Sequence, residues 1–125
     1  MGTKSVAIID DDASANRALG RLLRGAGFEP KGFESAERFL ADPLRSSFGC
    51  LLVDIQLTGM SGLELQRRLQ AEGSRLPVMF ITAHYDPAAR DEAVRRGCVA
   101  FFRKTDPGAL IVDALRRAQI GRAHV

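Results

Sequence analysis

Four short apolar runs that each stop at a polar residue constrain this chain more than any other feature. Val6-Ala7-Ile8-Ile9 ends at Asp10-Asp11-Asp12, Cys50-Leu51-Leu52-Val53 at Asp54, Pro77-Val78-Met79-Phe80-Ile81 at Thr82, and Val99 to Phe102 at Arg103-Lys104. Such runs are unbroken rather than alternating, which is the pattern of strands buried on both faces of a parallel sheet. The segments between them carry helical periodicity. Asp12 can cap a helix with Ala15, Ala18, Leu19, Leu22, Leu23 and Ala26 inward, ended by Gly25 and Gly27. Ser35 caps a short helix through Leu40, and Gly59 and Gly62 precede one carrying Leu63, Leu65 and Leu69. Asp86-Pro87 opens a fourth, with Ala89, Ala93 and Val94 among arginines. Asp106-Pro107 opens a last one with Leu110, Ile111, Ala114, Leu115 and Ala118 inward.

A further strand over Phe28 to Phe33 is weakened by Pro30 and Gly32, so it belongs at a sheet edge. Five strands alternating with five helices predict an α/β fold, a doubly wound five-stranded parallel sheet flanked by five helices. Ligands of such sheets gather beyond the carboxyl ends of the strands, where strand order reverses.

With 125 residues, 46% of them apolar, the chain can bury a core as a single soluble domain without disulfide or zinc staples. Cys50 and Cys98 are too few for a disulfide framework and fit a reducing cytoplasm as small core residues. No run approaches the roughly 18 apolar residues of a membrane span, and the first six residues lack a myristoylation signal. The net charge of +3 and pI near 9.3 come from interspersed acids and bases, with no basic stripe carrying interleaved aromatics. Direct nucleic-acid binding and membrane attachment are therefore not expected of this domain.

Three acids, a hydroxyl and an ammonium converge at the strand ends. Aligned on one sheet rim, Asp10, Asp11 and Asp54 repel one another unless a cation neutralises them, and hard oxygen ligands favour Mg²⁺. Mg²⁺ on few carboxylates keeps positions open for phosphate oxygens. A carboxylate needs no general base to act as nucleophile at neutral pH. Lys104 can balance phosphate charge and Thr82 can hydrogen-bond one of its oxygens. Each residue alone has a plainer reading: Asp12 as a helix cap, Asp54 as a solvated loop acid, Thr82 as a cap, Lys104 as a surface charge. Their joint placement at the same end of different strands favours a phosphoryl site.

Those residues, with Ile8-Ile9-Asp10-Asp11, Leu52-Val53-Asp54, Gly59-Met60-Ser61-Gly62, Phe80-Ile81-Thr82-Ala83 and Phe101-Phe102-Arg103-Lys104, resemble the receiver domains of two-component response regulators. The match runs from about residue 4 to 118. Gly62-Leu63-Glu64-Leu65-Gln66 and Leu76-Pro77-Val78 look most like receivers of FixJ- and NarL-type transcriptional regulators. The resemblance implies a CheY-like, flavodoxin-like sheet of order 2-1-3-4-5, with a receiver domain over 1–120 and a short tail or linker remnant over 121–125. It implies transfer of a phosphoryl group from a sensor histidine kinase or phosphotransfer protein to Asp54, with no other substrate turned over. Asp11, Asp54 and the backbone carbonyl of Gln56 would hold Mg²⁺, Asp10 would act through water, and Lys104 would pair with the phosphoryl group. Thr82 and Phe101 would throw the switch, and the surface of the fourth helix, fifth strand and fifth helix would pair two copies. That surface carries Arg90, Asp91, Arg95, Arg96, Asp106, Asp113, Arg116 and Arg117.

Two positions depart from the family pattern. Thr105 stands where proline usually follows the lysine, so a trans peptide and a reshaped, more mobile loop are expected, which puts the aim of Lys104 in question. Thr58 stands where proline often precedes Gly59, and should only loosen a surface loop. His84 and His124 read as exposed, although His84 could gate water access, and Met60 as packing below the site. An aspartate-nucleophile phosphatase is disfavoured because Ile55-Gln56 follows Asp54, and a cysteine phosphatase because Arg103 comes one place too soon after Cys98. No glycine-rich phosphate loop follows the first strand, which argues against a nucleotide-binding protein. A receiver that binds partners without phosphorylation is the remaining alternative.

Overall fold

Three of the four apolar runs form the inner strands, and the fourth an edge strand, of one parallel sheet in a computed structural model that describes residues 4–123. The strands are β1 (Ser5–Ile9), β2 (Glu29–Phe33), β3 (Cys50–Asp54), β4 (Val78–Thr82) and β5 (Ala100–Arg103). They alternate with α1 (Ala13–Gly25), α2 (Ala36–Leu40), α3 (Gly62–Ala71), α4 (Pro87–Arg95) and α5 (Gly108–Ala123), and a 3₁₀ turn over Arg45–Ser47 precedes β3. The sheet order is β2-β1-β3-β4-β5 and every pairing is parallel. The chain therefore reverses direction across the sheet between β1 and β3, which opens a crevice above their carboxyl ends.

Successive strand residues point to opposite faces, and each face has its own helical cover. Ala7, Ile9, Leu51, Val53, Val78 and Phe80 pack on one face with Phe39 of α2, Leu65 and Leu69 of α3 and Ala93 of α4. Val6, Ile8, Leu52, Met79 and Ile81 pack on the other with Leu23 of α1 and Ile111, Val112 and Leu115 of α5. This double burial is why β1, β3 and β4 read as unbroken apolar runs. The edge position of β2 tolerates Pro30, whose missing N–H costs no inner ladder bond. No helix among the described residues is long and apolar enough to cross a membrane.

Asp12 and Ser35 cap as the sequence predicts, whereas α5 starts only at Gly108 and the Asp106 carboxylate accepts from Arg103 N–H in the preceding turn instead. The Asp12 carboxylate accepts from the N–H groups of Ser14 and Ala15, and Ser35 accepts from that of Arg38. Asp86 accepts from Ala88 N–H ahead of a first-turn Pro87, and Ser61 with Glu64 forms a capping box at α3.

Several expected core positions lie elsewhere. Ala18, Val94 and Leu110 are exposed, while Val112 is buried. Each exposed residue flanks the inward stripe of its helix, and helical spacing defines the middle of a stripe better than its width. Val99 is exposed and β5 starts one residue later, whereas Phe28 is buried just before β2. Cys50 is buried and Cys98 half-buried, and Met60 packs against the core below the site. The tail expected over 121–125 overlaps α5, which runs to Ala123; residues 124 and 125, with His124, lie outside the described residues.

Candidate functional site

Strand register sets four side chains level on one rim. Ile9 pairs with Val53, Asp54 with Ile81 and Thr82 with Arg103, so Asp10, Asp54, Thr82 and Lys104 all emerge at the same carboxyl edge. Asp10 is 1% exposed, Asp54 5% and Thr82 2%, whereas Asp11 is open to solvent. Carboxylate oxygens of Asp10, Asp11 and Asp54 lie within 4.8 Å of one another, close enough to share one cation.

Each acid is held by a different device. Asp10 Oδ1 accepts from Asp12 N–H at 2.9 Å, and Asp54 Oδ1 accepts from Gln56 N–H at 2.9 Å. The Lys104 ammonium sits between them, 2.9 Å from Asp10 Oδ2 and 3.0 Å from Asp54 Oδ2. It donates to Asp54 and forms an ion pair with the buried Asp10 Oδ2. Burial pushes the Asp10 carboxyl upward, against the pull of Lys104 and Asp12 N–H. Burial alone would lower the Lys104 ammonium, but its contacts with Asp10 and Asp54 more than offset this and raise it.

One ammonium thus faces three carboxylates. Three gathered carboxylates, two of them buried, with a single ammonium to balance them are the donor set of a hard dication, so these residues fit Mg²⁺. The arrangement has a gathered acceptor, a charge-balancing ammonium and an open mouth, which suits a transferring phosphoryl group.

The Lys104–Thr105 peptide is trans, like every peptide bond among the described residues. Lys104 still reaches its acids because the turn after β5 is fixed at both ends. Lys104 N–H donates to Thr82 O at 2.8 Å, Arg103 N–H to Asp106 Oδ2 at 2.8 Å and Asp106 N–H to Arg103 O at 3.0 Å. The displaced loop expected from Thr105 is therefore not needed to explain its neighbours.

Thr82 spends its hydroxyl on its own loop, donating to His84 O at 2.9 Å and accepting from His84 N–H at 3.2 Å. His84 itself is exposed. Phe101 is half-buried between Phe80 and Tyr85, with ring centroids 6.2 and 6.3 Å away. The Arg103 guanidinium covers the outer face of Tyr85 at 4.1 Å. On the helical surface beside Phe101, Arg90, Asp91 and Arg95 are exposed. Two arginines assigned to that surface turn away from it: Arg96 contacts Glu92 and Gln70, and Arg116 reaches Ala26 O at 3.5 Å.

Three supporting residues escaped sequence reasoning. Asn16 donates to Asp10 O at 3.2 Å and Phe33 O at 3.0 Å, tying the ends of β1 and β2; a Cβ at Gly32 would collide with its Oδ1. Glu37 accepts from Met60 N–H at 3.0 Å, a contact that holds its carboxyl below the usual range. Thr58 donates twice to Asp11 Oδ2, from its N–H at 3.0 Å and its hydroxyl at 3.1 Å. The loop that Thr58 should have loosened is instead tied to an acid of the site.

Gly62 packs against the end of β3. A Cβ there would lie 2.6 Å from Asp54 O and 3.0 Å from Ile55 Cα, both backbone atoms that cannot rotate away. Gly62→Ala is expected to cost about 1–3 kcal/mol through overpacking, read as a lowered urea midpoint, and to displace the end of β3.

Comparison with known proteins agrees with this geometry. A model of the response regulator receiver domain family matches residues 6–116. The chain is 39% identical over 111 residues to the response regulator protein TodT of Pseudomonas putida, covering 89% of this chain and 49% of TodT. It is 36% identical over 124 residues to the transcriptional regulatory protein FixJ of Bradyrhizobium diazoefficiens, covering 95% of this chain and 60% of FixJ. The crystal structure of FixJ-N superposes with a TM-score of 0.84 at 34% identity, covering 93% of each chain. The chain spans about half the length of the curated relatives it matches.

Proposed function

The chain belongs to the receiver domains of two-component response regulators, and we propose that it accepts a phosphoryl group on Asp54 from the phosphohistidine of a sensor histidine kinase or phosphotransfer protein. The observation that carries this reading is the Lys104 ammonium held between Asp10 and Asp54 with Asp11 alongside. Asp11, Asp54 and the Gln56 backbone carbonyl would hold Mg²⁺, and Asp10 would act through water. When bound, Mg²⁺ supplies positive charge against the oxygens of the transferring phosphoryl group.

The chain's own groups then do the following. An Asp54 carboxylate oxygen uses a lone pair to form the P–O bond as the P–N bond to the donor imidazole breaks. The electron pair of that bond returns to the imidazole nitrogen, which takes a proton from water. Gln56 N–H holds the other side of the carboxylate in place. Lys104, already at hydrogen-bond distance from Asp54, follows the new charge onto a phosphoryl oxygen. Positioning and charge balance supply the catalysis, and the chain modifies itself rather than turning over a separate substrate.

The new dianion changes the partner of Thr82. Its hydroxyl gives up His84 O and donates to the phosphoryl group, which draws the β4–α4 loop inward and releases Phe101 from its place beside Tyr85. Phe101 has no hydroxyl, so its two positions differ in burial. Rearrangement of the α4, β5 and α5 surface then promotes a homodimer, the step by which a regulator of transcription would be engaged. The domain is assigned to 1–120, with 121–125 as a short tail or linker remnant, and its place of action is the cytoplasm.

Incubation with acetyl phosphate and Mg²⁺ tests the transfer, with a gain of one phosphoryl group in intact mass expected; an unmodified, folded chain at saturating donor would favour a phosphorylation-independent binding module. Beryllofluoride, a phosphoryl mimic, is expected to shift wild-type sedimentation toward dimer. Thr82→Ala should keep phosphoryl uptake while losing that shift, because it removes the hydroxyl that reads the phosphoryl group without touching the acceptor. An equal shift in both proteins would remove Thr82 from the switch.

A further inference from the structure

The geometry points to Thr58 as a positioning residue that holds the Asp11 carboxylate in place for the cation, an inference that rests on the Mg²⁺ reading above. The three acids differ in how they are restrained. Asp10 and Asp54 are buried, share Lys104 and each accept a backbone N–H two residues ahead. Asp11 is exposed and makes no ion pair with a described residue, while two like charges stand within 4.8 Å. Repulsion and hydration both favour swinging it outward. The donors that hold it are the N–H and hydroxyl of Thr58, at 3.0 and 3.1 Å, both directed at Oδ2.

The same contact fixes a second ligand. Thr58 lies two residues after Gln56, so tying Thr58 to Asp11 sets the distance between that carboxylate and the backbone around Gln56. The far side of the loop is anchored independently, by Met60 N–H donating to Glu37 Oε2. Gly59 makes this possible, with φ at +79° and a position where a Cβ would lie 2.6 Å from Glu37 Oε2. The loop is thus held between two carboxylates, one of them in the site. Proline at position 58 would have no N–H to give, so this tie belongs to the threonine.

Hydrogen bonds behind a metal ligand hold it in the binding orientation, and their removal typically weakens metal binding by roughly 10–100-fold. Thr58→Val keeps size and backbone N–H but deletes the hydroxyl donor, so it is expected at the low end, roughly tenfold weaker Mg²⁺ binding. Thr58→Ala should match it, and Thr58→Ser should restore wild-type affinity. Calorimetric titration of Mg²⁺ into the unphosphorylated chain at fixed ionic strength reads the affinity, and urea midpoints without Mg²⁺ read the fold. Weaker binding in the valine and alanine variants, with rescue by serine and unchanged midpoints, supports the role. Unchanged or tighter binding in both overturns it, since the hydroxyl then either does nothing for Asp11 or competes with the cation. A wild-type chain that binds no Mg²⁺ overturns the Mg²⁺ reading itself, whatever the variants do.

Discussion

Asp54→Asn is expected to take up no phosphoryl group from acetyl phosphate and Mg²⁺ under conditions where the wild-type chain takes up one. The amide matches the carboxylate in shape, and its oxygen can still accept from Gln56 N–H, so the end of β3 keeps its form. What disappears is the anionic oxygen proposed to attack phosphorus, together with one of the three acids gathered at the rim. Neither neighbour can take over. Asp10 is buried with one oxygen on Asp12 N–H and the other against Lys104, and Asp11 is turned to Thr58. Stability should not fall, because the variant removes one of three crowded negative charges. Intact mass reads the uptake and a urea titration reads the fold; a variant that still gains one phosphoryl group would move the acceptor elsewhere.

Phe39→Ala is the substitution expected to cost the fold most, about 3–5 kcal/mol. Phe39 is fully buried and meets Phe33 edge-on at 5.5 Å, with Phe48 at 6.2 Å. Removing the ring leaves a cavity under β1 and β3 and breaks aromatic pairs worth roughly 0.5–1.5 kcal/mol beyond their buried area. A domain stable by about 5–15 kcal/mol would lose a large part of its margin. The damage also travels to the site. Phe39 is the main apolar anchor of the five-residue α2, and α2 carries Glu37, which holds Met60 N–H. Mg²⁺ affinity should therefore fall with stability in this variant, whereas Asp54→Asn separates the two. A loss under about 1 kcal/mol in the urea midpoint would mean that the site collapses around the missing ring.

The parts of the site legible in the sequence share one property: each stands at the carboxyl end of a strand. Asp10, Asp54, Thr82 and Lys104 sit at the ends of apolar runs, and a parallel sheet aligns such ends whatever the loops do. The strands were legible for a related reason, since burial on two faces leaves an unbroken apolar signature. Thr58, Glu37 and Asn16 have no such marker. Their contacts span 47, 23 and 17 residues, and nothing local in the chain says that Thr58 would turn back to Asp11. The same limit explains Ala18, Val94 and Leu110, whose exposure depends on the width of the buried stripe of each helix. Thr105 shows the converse. A residue unusual for the family suggested a disturbed loop, yet the paired hydrogen bonds of Arg103 and Asp106 and the reach of Lys104 across the rim leave the ammonium in place.

Phosphoryl transfer to Asp54 is tested most directly by locating the modified residue. Borohydride reduces an acyl phosphate to an alcohol, so a phosphorylated aspartate becomes homoserine and can be found by peptide mass mapping. After treatment with acetyl phosphate and Mg²⁺, homoserine is expected at position 54, and with Mg²⁺ chelated it should be absent. Homoserine at position 10 or 11, or an unmodified chain at saturating donor and Mg²⁺, would contradict the assignment.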